Sequence, residues 1–222
     1  MGRGLFITGT DTDVGKTYVT ALLVKTLRSA GYDVGYYKAA ISGARTVEES
    51  DAGFVNRFAQ ICEPEDMLLS YLYQNAVSPH LAARIEGNPV EKDVIISAWE
   101  RVTAAYPYVT MEGSGGIMCP IRHDEKAVYY LEDIIRWLRL PVLIVADAGL
   151  GTINRVVTTC EYIRRRNISV KGIILNHWKG GVMEEDNVEM IEEIIGMKVL
   201  ARVKKGDTAL DIDPETIISL YE

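Results

Sequence analysis

The chain is poor in the residues that staple small secreted folds. Its 222 residues hold three cysteines, Cys62, Cys119 and Cys160, each isolated. No Cys-x-x-Cys pair offers a zinc or redox site, so reduced core thiols in a cytoplasmic protein are expected. No apolar run approaches the roughly 20 residues of a membrane helix. The opening Leu5-Phe6-Ile7 stretch is too short for a signal peptide, and Phe6 stands where a myristoylation motif wants Ser or Thr. Histidine is scarce. His80, in Ser78-Pro79-His80, has no Cys, Asp or second His nearby and reads as structural rather than catalytic. Positive charge is in deficit, with 24 Lys and Arg against 31 Asp and Glu, a net −7. That balance argues against a nucleic-acid scaffold. An anionic small ligand is still compatible, because a helix N-terminus and two lysines make a local positive site.

What is present is ordinary globular composition, 48% apolar and 25% charged. The length fits one domain over 1–222. Short apolar runs at Leu5–Thr8, Val34–Lys38, Tyr108–Met111, Val142–Ala146, Gly172–Leu175 and Val199–Val203 read as strands. Helical spacing runs over Lys16–Ala30, Asp51–Ile61, Val94–Ala105, Leu131–Leu138, Ile153–Arg166, Val188–Ile195 and Pro214–Leu220. The basic run Arg164-Arg165-Arg166 closes one of these helices, where cations complement the helix dipole. Strands alternating with helices predict an α/β fold, a mostly parallel sheet with helices on both faces. Residues 44–75 are the least periodic.

The strongest local signal is Gly9-Thr10-Asp11-Thr12-Asp13-Val14-Gly15-Lys16-Thr17, between the first strand and the first helix. That is the context of a P-loop: successive N–H groups wrap a phosphate, the lysine reaches the outer phosphates, and the threonine hydroxyl binds magnesium. Thr10 occupies the slot of the usual first glycine. Other polar residues end apolar strands, where open α/β sheets bind ligands. Lys38 is one. Glu112, before Gly113-Ser114-Gly115-Gly116, is a candidate magnesium ligand, with Asp147 as its rival. Asn176 offers a donor and an acceptor, as adenine recognition requires. Asp51 follows Glu48, Glu49 and Ser50 and fits the acidic first turn of a helix as well as a metal site.

Taken together, the motifs resemble the dethiobiotin synthetase family of P-loop NTPases over nearly the whole chain. The residues that carry the resemblance are 9–17, Tyr37-Lys38, Ser42-Gly43, Ser50-Asp51, Ser78-Pro79-His80, Glu112–Gly116, Leu150–Asn154 and Asn176. The resemblance implies that 7,8-diaminononanoate, CO2 (or bicarbonate) and Mg-ATP give dethiobiotin, ADP and phosphate. It implies Lys16 and Lys38 as the catalytic cations, and Thr17, Asp51 and Glu112 as magnesium ligands. It implies nucleotide contacts from Asp13, Val14, Gly15, Lys16, Thr17 and Tyr18, from Asp51, and from Glu112, Gly113, Ser114 and Gly115. Asn176, His177, Val203, Lys204, Lys205 and Gly206 would face the base. Thr12, Lys38 and Ser42 would touch the diamine. Gly151, Thr152 and Asn154 would reach substrate held by the other subunit of a homodimer. Neither nucleic acid nor membrane is an expected partner. Asp13 stands where the family often has Glu, Ala39 replaces a common proline, and Lys204-Lys205 replaces a proline-containing turn.

Two other readings use the same loop. A chromosome- or division-site-positioning ATPase usually carries an extra lysine early in the P-loop, and residues 10–14 have none. A related amidoligase usually carries an appended glutaminase domain, for which this length leaves no room.

Overall fold

Leu5, Phe6 and Ile7 alternate across one strand, and that alternation sets the architecture. Leu5 and Ile7 enter one buried apolar cluster and Phe6 enters another, one on each face of a sheet. The computed structural model describes residues 2–222. Strand β1 (Arg3–Gly9) feeds helix α1 (Lys16–Ser29), which returns to β2 (Val34–Ser42). Helix α2 (Asp51–Phe58) and the single turn α3 (Glu65–Leu68) lead to β3 (Leu69–Tyr73). Helices α4 (Pro79–Ile85) and α5 (Lys92–Ala105) precede β4 (Tyr108–Gly116). A hairpin of β5 (Pro120–His123) and β6 (Val128–Tyr130) comes before α6 (Leu131–Leu138). The chain finishes with β7 (Val142–Asp147), α7 (Thr152–Arg165), β8 (Val170–Asn176), α8 (Val182–Ile195), β9 (Val199–Arg202) and α9 (Pro214–Ile218).

Seven parallel strands form one sheet in the order β3-β2-β4-β1-β7-β8-β9. Helices cover both faces, as near-continuous apolar strands require. Val19, Leu22, Leu23 and Leu27 of α1 and Ala52 and Val55 of α2 pack on the Leu5/Ile7 face. Trp99 and Val102 of α5, Ile134 of α6, Val156 and Ile163 of α7 and Ile191 of α8 pack on the Phe6 face. Each such large side chain contributes about 1.5–3 kcal/mol of burial. The layers are tight: a methyl on Gly4 would come within 2.4 Å of Leu140 Cδ2 and 2.7 Å of the Trp99 ring.

The chain leaves β1 for β2 on one side of the sheet and leaves β4 for β7 on the other, yet β1 and β4 are neighbours. Ligands of open α/β sheets bind beyond the carboxyl ends of strands at such a switch point. In-register pairing puts Glu112 beside Ile7 on one side and Lys38 on the other.

Several expectations need correction. β2 and β4 run further than the apolar runs suggest, to Ser42 and Gly116. β3 lies inside the segment with least periodicity, because Leu69, Tyr71 and Tyr73 are buried while Ser70 and Leu72 are only partly so. The α2 helix ends at Phe58, where Gln60 and Cys62 take left-handed backbone with φ of 53° and 62°. Cys160 is a buried core thiol, but Cys62 is exposed and Cys119 half-buried. The arginine run does close α7: Arg164 donates to the Ile195 carbonyl at 3.0 Å, and Arg166 pairs with Glu132. No helix among the described residues is long and apolar enough to cross a membrane.

Candidate active site

The turn from β1 into α1 builds the first wall. Gly15 has φ 81°, so only a residue without a side chain fits easily. A methyl there would also lie 2.0 Å from Asn176 Nδ2. Thr10 is not among the left-handed residues, so its slot needs no glycine. Thr10 N–H instead donates to the Val145 carbonyl at 3.0 Å, which anchors the loop to β7. The α1 N-terminus has no side-chain cap and no acid in its first turn, leaving its N–H groups free for an anion. Lys16 folds back over the loop and donates to the Asp11 carbonyl at 3.0 Å. Burial, with help from nearby Lys38, lowers the Lys16 pKa below that of a free lysine.

The second wall comes from β2, β4 and α2. Tyr36 and Lys38 alternate on β2 and share the face toward α1. Lys38 Nζ lies 2.6 Å from Asp51 Oδ2 and 2.7 Å from Glu112 Oε1. Thr17 Oγ1 donates to the same Glu112 Oε1 at 2.8 Å, and the Tyr36 hydroxyl donates to Oε2 at 3.1 Å. Burial alone would lower the Lys38 pKa, but Glu112 and Asp51 outweigh it and hold the ammonium above its ordinary value. Burial would raise Asp51, and Lys38 with the Thr17 hydroxyl reverses that, so Asp51 stays ionised below the usual carboxylate range. Ser50 caps α2 by accepting from Gly53 N–H, which places Asp51 in the first turn, facing the rim.

These walls enclose a cavity of about 320 Å³. Thr12, Asp13, Gly15, Lys16 and Thr17 line one side, Lys38, Ile41 and Ser42 another, and Asp51, Glu112, Ser114 and Gly115 the rest. Ser114 Oγ donates to the Ala40 carbonyl at 2.7 Å, and Ser42 Oγ donates to the Val77 carbonyl at 2.6 Å. Two carboxylates that already hold one cation, the Lys38 ammonium, with the Thr17 hydroxyl on one of them, suit a hard divalent ion. Magnesium typically takes one or two carboxylates and completes its shell with phosphate and water. The rival acid, Asp147, is committed elsewhere. Its Oδ2 accepts from His177 Nδ1 and its Oδ1 from Gly149 N–H, each at 2.7 Å. Burial would raise its pKa, but those two donors lower it overall.

A family model described as an AAA domain matches residues 3–209. An ATP-dependent dethiobiotin synthetase of Brachyspira hyodysenteriae is 47% identical over 100% of both chains. One from Clostridium kluyveri is 42% identical over 98% of this chain and 92% of its own. The chain belongs to the dethiobiotin synthetase family. These are ATP-dependent ligases of biotin biosynthesis on a P-loop fold. The crystal structure of a ParA family ATPase from Chlorobium tepidum superposes with a TM-score of 0.56 over 99% of this chain and 90% of that one. At 15% identity that likeness concerns the fold alone.

The remaining residues singled out by the dethiobiotin synthetase pattern lie outside the cavity. Asn176 is buried, and its Nδ2 donates to the Val14 carbonyl at 3.0 Å, tying β8 to the P-loop. His177 follows at φ 58°. Val203 N–H donates to the Leu175 carbonyl and Trp178 N–H to the Val203 carbonyl, so Val203 lies beside Asn176 and His177. Lys204, Lys205 and Gly206 form an exposed turn, and the Tyr18 hydroxyl bonds the next carbonyl, that of Asp207. Gly151, Thr152 and Asn154 open α7 and do not line the cavity. His80 lies in the first turn of α4, away from the cavity lining. Tyr36 is the contact that sequence reasoning missed. A tyrosine in an apolar strand reads as core, and only its spacing of two from Lys38 could have pointed to the site.

Proposed function

We propose that this cavity carboxylates 7,8-diaminononanoate with CO2 and closes the product to the cyclic urea of dethiobiotin, at the expense of ATP. The observation that carries the reading is the rim itself: Lys38 and Glu112 on the adjacent parallel strands β2 and β4, with Lys16 and Asp51 at the starts of α1 and α2, face one cavity. Thr17, Asp51 and Glu112 would hold magnesium, which would neutralise charge on the nucleotide phosphates. The P-loop N–H groups and Lys16 bind the triphosphate. A neutral amine of the diamine attacks CO2, loses a proton and becomes a carbamate anion. The carbamate oxygen then takes the γ-phosphoryl group and ADP departs. The second amine attacks the anhydride carbon and expels phosphate, and the ring closes. Lys38 offsets the repulsion between carbamate and triphosphate, and Thr12 and Ser42 orient the diamine beside them. No protein nucleophile takes part.

The N-terminus of α7 supports a homodimer. Its cap residue Gly151 has φ 85°, no side chain caps it, and no acid occupies its first turn. Leu150 beside it is 83% exposed. An uncapped helix start attracts a carboxylate, and one outside its own cavity suits a substrate tail held by a second copy. Asn176, His177 and the turn Val203–Gly206 would face the adenine. The reading places the enzyme in the cytoplasm.

The test is a product assay with ATP, Mg²⁺, bicarbonate and the diamine. ADP and dethiobiotin should form together, and omission of the diamine should stop both. ATP turnover indifferent to the diamine but raised by DNA or a partner protein would favour a positioning ATPase instead.

A further inference from the structure

Glu112 shows its two oxygens to different neighbours. Oε1 takes the Thr17 hydroxyl at 2.8 Å and the Lys38 ammonium at 2.7 Å, so it is the oxygen on the cation side. Among the described residues Oε2 takes only the Tyr36 hydroxyl, at 3.1 Å, on the core side. Tyr36 is fully buried, and Glu112 is 1% exposed. The tyrosine is fixed from both ends: its backbone N–H donates to Glu63 Oε1 at 3.2 Å, and its ring packs with the α1 core. Water has no access to replace that hydroxyl at Oε2.

We propose that Tyr36 is a positioning residue that confines Glu112 to one cation-facing oxygen and so favours magnesium over calcium. The proposal rests on the reading of Thr17, Asp51 and Glu112 as the metal ligands. Magnesium demands near-octahedral geometry with few protein oxygens. Calcium takes more ligands and readily accepts both oxygens of one carboxylate. For Glu112 to offer both, its buried hydrogen bond to Tyr36 must break and leave the hydroxyl unpaired, which is costly. Among the described residues the Tyr36 hydroxyl bonds Glu112 and neither Lys16 nor Asp51, so removing that hydroxyl acts on the site through Glu112.

The test is calorimetric titration of Mg²⁺ and of Ca²⁺ into the protein saturated with a non-hydrolysable ATP analogue. Tyr36→Phe keeps the ring and removes the hydroxyl. Its Mg²⁺-to-Ca²⁺ affinity ratio should fall about tenfold, consistent with the loss of one buried hydrogen bond. Tyr36→Met, a second route to removing the hydroxyl, should move the ratio the same way. A ratio unchanged in both folded variants overturns the proposal. Glu112→Gln separates the two claims. If it binds Mg²⁺ as tightly as the parent, the metal assignment falls and the Tyr36 role with it. If it loses Mg²⁺ while Tyr36→Phe keeps the parent ratio, only the Tyr36 role falls.

Discussion

The rim of the sheet has two unlike halves. At the ends of β1, β2 and β4 three charges are sequestered: Glu112 is 1% exposed, Lys38 3% and Lys16 7%, while Asp51, paired with Lys38, reaches out to water. At the ends of β7, β8 and β9 they stand in water. The Asp147 and His177 side chains are 35% and 46% exposed, and Lys204 and Lys205 are exposed in their turn. Buried charges interact strongly and fail badly when one partner is removed, whereas exposed pairs contribute about 0–1 kcal/mol. The first half is therefore built for chemistry that needs fixed charge. The second can vary with small energetic consequence.

Gly15 sits on the seam, where the P-loop meets Asn176. Gly15→Ala forces a methyl onto Asn176 Nδ2 at 2.0 Å from backbone with φ 81°. ATP affinity by calorimetry should fall at least about 100-fold, about 2.7 kcal/mol. Retained affinity would mean that the two halves are not coupled through this loop.

Glu63 backs the sequestered half and bonds the Tyr36 backbone. Its Oε2 is buried with no hydrogen-bond partner among the described residues, and burial raises its pKa to about 7 against the favourable pull of Tyr36 N–H and Arg28. The folded protein thus holds this proton more tightly than the unfolded chain. Stability should fall as pH rises from about 4.5 to about 7. Glu63→Gln should remove that dependence and stabilise the fold at pH 8 by on the order of 2 kcal/mol. Denaturant melts at pH 5 and pH 8 measure it; parallel pH dependence in both proteins would rule out Glu63 as its source.

Lys38→Gln tests the sequestered half directly. Turnover should drop at least about tenfold, about 1.4 kcal/mol of barrier, with ATP affinity changed less than about threefold. Unchanged turnover would remove Lys38 from the reaction. The exposed half should respond least. Asp147→Asn takes the charge out of the 2.7 Å contact to His177, yet kcat should change by less than about threefold, as an exposed pair implies. A loss matching that of Lys38→Gln would erase the contrast between the halves.

The contrast also explains what could be read in advance. The P-loop was legible because Gly9, Gly15, Lys16 and Thr17 act locally, between one strand and one helix. Lys38, Glu112 and Asn176 were legible because polar residues that end apolar runs stand out. Their mutual arrangement was not, since Lys38 and Glu112 are 74 positions apart and meet only through strand order. β3 was hidden because it alternates buried Leu69, Tyr71 and Tyr73 with partly buried Ser70 and Leu72 in a segment with no long apolar run. Asp147 looked like a metal ligand from its strand end, and only the fold revealed His177 and Gly149 N–H at its two oxygens.

The central claim is that fixed cations let a carbamate oxygen meet the γ-phosphoryl group of ATP. Reaction with ¹⁸O-labelled CO2, stopped within one turnover, tests it by mass analysis of the phosphate released. The account predicts one labelled oxygen in each phosphate formed with dethiobiotin. Unlabelled phosphate, formed at the same rate as product, would show that water attacks the nucleotide and would contradict it.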